Sequence, residues 1–185
     1  MQIFISGFVA LVVLWQGWIY NQQRKATRIA ERGYIGVKSG DLLDFEPGKV
    51  PVVEIAFLNG GRTPIWNFYT PGGVTLDSVP PDDFEPPDVP VNEAGAFLVA
   101  GATGKVQWPL PRSLNTATIR EIVEGRLSLY VKGIAWFEDC WGEKRNYPFY
   151  LVYNPRNGTF VQRKRYAEHM DFQLTRVGPI KRRRI

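Results

Sequence analysis

The chain has 185 residues and a net charge of +5, with 22% charged and 44% hydrophobic residues. These fractions are close to those of an ordinary globular domain, so they exclude a wholly disordered chain and a membrane protein with many spans. The single cysteine, Cys140, excludes an internal disulfide and any site built from two cysteines. The composition therefore predicts one domain with appended segments, and no cofactor or metal.

The first 23 residues contain no charged side chain, and Ile3 to Ile19 is apolar at nearly every position. A helix over this run rises roughly 26 Å, and with its uncharged flanks it reaches the hydrocarbon thickness of a bilayer. Trp15, Trp18 and Tyr20 lie at its C-terminal end, where such rings favour the headgroup level. We therefore predict an uncleaved, single-pass anchor in the lipid bilayer over residues 1–23.

Basic side chains follow the apolar run but do not precede it, and they are Arg24, Lys25, Arg28 and Arg32. By the positive-inside rule, this asymmetry predicts that the rest of the chain lies in the cytoplasm. Residues 24–33 contain several good helix formers, which predicts a helical stalk that ends at Gly33 in a left-handed conformation.

Beyond Gly33, short runs rich in Val, Ile and aromatic residues are separated by Gly, Pro, Asn and Asp, which predicts strands. The runs are 34–38, 50–58, 65–70, 96–100, 105–108, 127–138, 145–153 and 159–162. The last three predict an antiparallel meander, in which Pro148 requires an edge position or a bulge. Asn157-Gly158-Thr159 matches a glycosylation sequon, but Asn-Gly is also a hairpin turn, which we favour.

One short helix is predicted over Thr116–Glu124, with Ile119, Ile122 and Val123 on one face. Ser113 or Asn115 can cap it, and Gly125 ends it. The elements together predict a mainly β fold, namely an immunoglobulin-like antiparallel β-sandwich over 34–162 with one short internal helix.

Two further segments have a biased composition. Pro80 to Pro90 holds five prolines and four acidic residues, which predicts an exposed acidic loop. Residues 163–185 form a basic tail that ends in Lys181, Arg182, Arg183 and Arg184. The tail is solvated, or contacts anionic lipid, or holds nucleic acid through phosphates; nucleic acid is disfavoured because no aromatic platform accompanies the charges.

Three stretches are similar to a group of uncharacterised bacterial membrane proteins with an N-terminal span and a β-sandwich. Arg32-Gly-Tyr-Ile35 resembles their Arg-Ala-Tyr-aliphatic start of the first strand, and Asn59-Gly-Gly-Arg-Thr-Pro64 resembles their Asn-x-Gly-x-Thr-Pro turn. Phe137-Glu-Asp-Cys-Trp-Gly142 resembles their aromatic-x-Asp-x-aromatic-Gly hairpin. The resemblance implies this architecture, in the bacterial inner membrane, and no activity. Gly33 and Ile65 stand where the group has alanine, and Trp141 where it commonly has Phe.

Candidate catalytic groups are few. Gly101 to Val106 lacks the first glycine and the Ser or Thr of a phosphate-binding loop, so we interpret it as a turn between strands. Cys140 and His169 are the only possible thiol–imidazole pair, and nothing in the sequence brings them together. Glu138, Asp139 and Glu143 could act as an acid–base pair, but solvated turn charges are favoured, with Asp139 bonding to the turn's amides.

Aromatic residues make up 14% of the chain, and strand alternation predicts that most of those in the β region form the core. They are Trp66, Phe68, Tyr69, Tyr130, Trp136, Phe137, Trp141, Tyr147, Phe149 and Tyr150. Trp141 stands out because it occupies a hairpin tip, where it either anchors a protein interface or folds back over the sandwich.

The sequence therefore favours a non-enzymatic binding or accessory module that is tethered to a membrane and contacts another membrane protein. The alternatives are an enzyme that uses the acidic loop or the Glu138/Asp139/Glu143 turn, and a tether to nucleic acid or anionic lipid through the basic tail.

Overall fold

The computed structural model describes residues 2–79 and 95–162, with side chains described from residue 11 onward. The chain divides into two compact units between Arg32 and Gly33. The first unit contains helix α1 (Gln2–Ala30), so the predicted helical stalk is confirmed as far as Ala30, where the helix ends short of Gly33.

In the described part of the chain, no helix combines the length and the apolarity that crossing a bilayer requires. The anchor over residues 1–23 stays a prediction, and its residues 1–10 lie outside those whose side chains are described.

The second unit, called the β unit below, is mainly β-structure, as predicted. Its elements are β1 (Ile35–Leu43), β2 (Val52–Asn59), β3 (Ile65–Tyr69), β4 (Gly72–Asp77), β5 (Ala96–Leu98), β6 (Thr103–Pro109), α2 (Thr116–Val123), β7 (Ser128–Glu138), β8 (Lys144–Asn154) and β9 (Thr159–Gln162).

The strands form two antiparallel sheets. The smaller sheet has the order β1-β2-β6, and the larger has the order β5-β3-β7-β8-β9, with β4 also paired to β7. Strands β3 and β4 lie end to end along β7, because Trp66 pairs with Glu138 at one end and Asp77 pairs with Ser128 at the other. They are two halves of one long strand that is interrupted at Thr70 and Pro71.

The interruption is held by contacts that require glycine on the neighbouring strand. The N–H of Ile134 donates to the carbonyl oxygen of Pro71 at 3.0 Å. A Cβ at Gly133 would lie 2.7 Å from that oxygen and would overlap the ring of Phe149. The backbone of β7 can therefore approach the kink only where it carries no side chain.

The two sheets share one hydrophobic core. Phe57 of β2, in the smaller sheet, packs edge-to-face on Phe68 of β3 at 5.6 Å and on Phe149 of β8 at 5.1 Å between ring centroids. All three rings belong to the buried cluster, which both sheets line. The sheets thus pack face to face, and their aromatic contacts supply the large buried area that such a core needs.

Helix α2 lies where the sequence predicts it. Asn115 is the N-cap, and its Oδ1 accepts a hydrogen bond from the Thr118 N–H at 2.8 Å. Gly125 follows the helix with a φ of +77°. Ile122 is buried in the core, whereas Val123 is 57% exposed.

The meander of β7, β8 and β9 is confirmed. Pro148 lies opposite Ile134 in an unbroken register, and β9 pairs only with the stretch of β8 from Leu151 to Asn154. Pro148 therefore lies past the end of β9, so the missing N–H interrupts no pairing with that strand, and the predicted edge position is confirmed locally.

Candidate functional site

Asn59, the last residue of β2, is fully buried and binds three separate chain segments. Its Oδ1 accepts hydrogen bonds from the N–H groups of Gly61 at 3.1 Å and Tyr34 at 3.3 Å. Its Nδ2 donates to the carbonyl oxygens of Thr63 at 2.9 Å and Leu98 at 3.1 Å. One amide side chain thus ties the start of β1, the β2–β3 turn and the end of β5, with every polar position engaged.

Exposed hydrophobic side chains lie on the segments that Asn59 joins. Their exposed fractions are 41% for Tyr34, 39% for Trp66, 53% for Phe97 and 51% for Val99. The rings of Trp66 and Phe97 contact each other at 5.4 Å between centroids. We call these four residues, three of which are aromatic, the aromatic rim. Their side chains are exposed to solvent, and Asn59 hydrogen-bonds to the backbone of the segments that carry them.

The β7–β8 hairpin tip is organised by Asp139, whose side chain is completely buried. Its Oδ1 accepts from the N–H groups of Trp141 and Glu143, both at 3.0 Å, and its Oδ2 accepts from Arg145 Nε at 3.2 Å. Arg145 also donates to Glu143 at 2.5 Å. The predicted bonding of Asp139 to the turn's amides is confirmed, and it fixes the loop's shape.

The hairpin tip is linked to the strand that carries Trp66. Asn67, which has a φ of +52°, donates from Nδ2 to Glu138 Oε2 at 3.2 Å. Glu138, Asp139 and Glu143 are thus each engaged in bonds within the hairpin or to β3. Together they hold the hairpin tip in place beside the rim.

The outer face of the smaller sheet is polar, in contrast to the rim. Glu54 accepts from Lys105 Nζ at 2.6 Å and from Gln107 Nε2 at 2.8 Å. These hydrogen bonds, first that of Lys105 and then that of Gln107, hold the pKa of Glu54 below its ordinary value. The Glu54 carboxylate in turn raises the pKa of Lys105. This face resembles an ordinary solvated surface.

We expect the Glu54 pair to make stability depend on pH at the acid end. Because the folded-state pKa is lowered, its contribution is fully present above the ordinary glutamate pKa and is lost as the pH falls through the depressed value. Denaturation midpoints of wild type and Glu54→Gln should therefore differ at neutral pH and converge once the pH has fallen below the depressed pKa of Glu54. A Lys105→Gln variant should converge in the same way, whereas a pH-independent difference would contradict the assignment.

A shallow cleft at the start of α2 is lined by Gly48, Arg112, Ser113, Leu114, Asn115 and Thr118. Arg112 is its one ionisable side chain. No group of three or more His, Cys, Asp or Glu side chains that could hold a metal ion occurs within residues 2–79 and 95–162.

Some of the residues singled out by the sequence lie in the described part of the chain, and others lie outside it. Trp141 is half-buried at the hairpin tip, so its role in an interface stays a prediction. Gly101 has a φ of +76° in the β5–β6 turn, which confirms the turn interpretation. Cys140 is an exposed free thiol. His169, the acidic loop, and the tail with Lys181, Arg182, Arg183 and Arg184 lie outside the described residues.

The sequence did not identify the rim. Trp66 belongs to the aromatic residues that were expected mostly in the core, and no local pattern singles out Phe97 or Tyr34. Strand alternation in β3 could have predicted that Ile65 faces the core and Trp66 faces solvent, and Ile65 is fully buried. The sequence could not predict that the pairing of β5 with β3 places Phe97 beside Trp66.

Compared with family models, curated proteins and solved structures, this chain has no significant match.

Proposed function

We propose that this protein is a non-enzymatic binding module that is held at a membrane by residues 1–23 and recognises another membrane protein through the aromatic rim. The observation that carries the proposal is the exposed Trp66–Phe97 pair on backbone fixed by Asn59. Exposed tryptophan is enriched where protein interfaces draw most of their binding energy. Side chains that are already fixed lose less entropy on binding, which favours recognition further.

The β unit is proposed to be an immunoglobulin-like sandwich. In support, β1-β2-β6 faces β5-β3-β7-β8, so that consecutive strands β2 and β3, and β5 and β6, belong to different sheets. This exchange between sheets is typical of Greek-key sandwiches, whose loops commonly serve in recognition.

Membrane attachment is proposed from the uncharged run between Ile3 and Ile19 and from the basic residues that follow it. The same asymmetry favours a cytoplasmic β unit at the bacterial inner membrane. The full chain should stay with membranes during alkaline carbonate extraction, and a variant without residues 2–20 should be released. Release of the full chain would contradict the proposed membrane anchor, but it would not test the proposed binding role of the rim.

The rim is tested by paired substitutions. Trp66→Ser with Phe97→Ser removes the exposed rings, whereas Val123→Ser with Val161→Ser removes exposed side chains of α2 and β9 as a control. Proteins that co-purify with the tagged chain from detergent-solubilised membranes should be reduced at least about tenfold by the rim pair and unchanged by the control.

Equal unfolding midpoints for the two double variants would establish that both are folded. Under that condition, co-purification that is equally retained, or equally lost, in both variants would contradict the proposed role of the rim.

A further inference from the structure

The turn between β8 and β9 contains an exposed asparagine that is followed by glycine. Asn157, Gly158 and Thr159 are all solvent-exposed. The Oδ1 atom of Asn157 accepts two hydrogen bonds, from the Thr159 N–H at 3.2 Å and from Thr159 Oγ1 at 2.8 Å. The side-chain carbonyl of Asn157 is thus polarised by two donors.

We infer that Asn157 is a site of spontaneous covalent modification. The backbone nitrogen of Gly158 loses its proton to solvent base and attacks Cγ of Asn157. The Cγ–Nδ2 bond then breaks, and the amide nitrogen takes a proton and leaves as ammonia. Water opens the resulting five-membered imide at either carbonyl, which gives aspartate or isoaspartate. The net change is the gain of one water and the loss of one ammonia, with no oxidant or reductant.

The local geometry favours this reaction. Negative charge develops on Oδ1 when the nitrogen adds to Cγ, and the two Thr159 donors already point at that oxygen. Gly158 carries no side chain that would hinder the attack. The Gly158 N–H does donate to the Asn154 carbonyl at 3.0 Å, and this bond has to open first. Opening an exposed turn is among the least costly fluctuations of a folded protein.

The same dipeptide occurs a second time, in a setting that should prevent the reaction. Asn59 precedes Gly60, but its amide is buried and holds four hydrogen bonds. The Gly60 N–H donates to the carbonyl of Tyr34 at 2.8 Å. The attacking nitrogen and the attacked amide are therefore both fixed, and reaction at Asn59 requires opening of the rim's support.

The test is peptide mass mapping of the full, detergent-solubilised chain during incubation at mildly alkaline pH. Conversion of amide to acid should appear at Asn157 at least about tenfold faster than at Asn59, because only the exposed turn opens readily. In denaturant the two sites should react at similar rates, since both precede glycine. Equal rates in the folded chain, or no conversion at Asn157, would overturn the inference.

A second variant tests the role of the donors. Thr159→Val keeps the backbone N–H but removes the hydroxyl that bonds to Oδ1, so conversion at Asn157 should slow at least about threefold in the folded chain. In denaturant the variant should react like wild type. An unchanged rate in the folded variant would overturn the assigned activation by Thr159.

Discussion

Asn59→Asp is expected to destabilise the β unit by about 3 kcal/mol or more, because it removes both donors of a fully buried amide. The carbonyl oxygens of Thr63 and Leu98 would lose their partner and would face a carboxylate oxygen instead. The loss should appear as a lower unfolding midpoint of the detergent-solubilised chain, followed by near-ultraviolet circular dichroism.

Asn157→Asp is the matched control, since it makes the same chemical change in the exposed β8–β9 turn. It should alter stability by no more than about 0.5 kcal/mol. Similar destabilisation by the two variants would contradict the role of Asn59 as the residue that joins the segments of the rim.

The second large effect is expected at Gly33 and Ile65, whose packing is mutually dependent. A Cβ at Gly33 would overlap Cγ2 of Ile65 and would lie 3.2 Å from the carbonyl oxygen of Thr63. Gly33→Ala should therefore cost about 1–3 kcal/mol through overpacking. Ile65→Ala, at a fully buried position, should cost about 2–5 kcal/mol through the cavity that it leaves.

The double variant should cost less than the sum of the two single variants by at least about 1 kcal/mol, because the alanine at 33 occupies space vacated at 65. Gly36→Ala serves as the control, since a Cβ there meets nothing within 4 Å. Strict additivity of Gly33→Ala and Ile65→Ala would contradict the contact.

Local patterns predicted those elements whose determinants are close in sequence. Asn115 and Gly125 bracket α2 because a capping side chain and a left-handed glycine act within a few residues. The runs rich in aliphatic and aromatic residues on either side of the Asp139 turn predicted the β7–β8 hairpin in the same way.

Strand β4 was not predicted because Pro71, Gly72 and Gly73 resemble a break in the chain. In the fold, Gly72 pairs with Gly133, and the two approach so closely that side chains would not fit. Gly72 is therefore required by a partner strand that lies far away in sequence. A local pattern carries no information on such a partner.

Gly33 was predicted to end the helix in a left-handed conformation, and this is wrong. It has no positive φ, and its backbone packs against Ile65. The sequence likewise did not predict that Asn59 forms hydrogen bonds with three segments, because Tyr34 and Leu98 are distant from it in sequence.

The central claim, that the aromatic rim is the surface that binds another membrane protein, is tested most directly by photo-cross-linking in intact cells. A benzophenone amino acid would replace Phe97 in one variant and Val161, an exposed residue of β9, in another. We predict one discrete protein adduct of defined mass from position 97 that is lost on Trp66→Ser, and none from position 161. No adduct from position 97, or the same adducts from both positions, would contradict the claim.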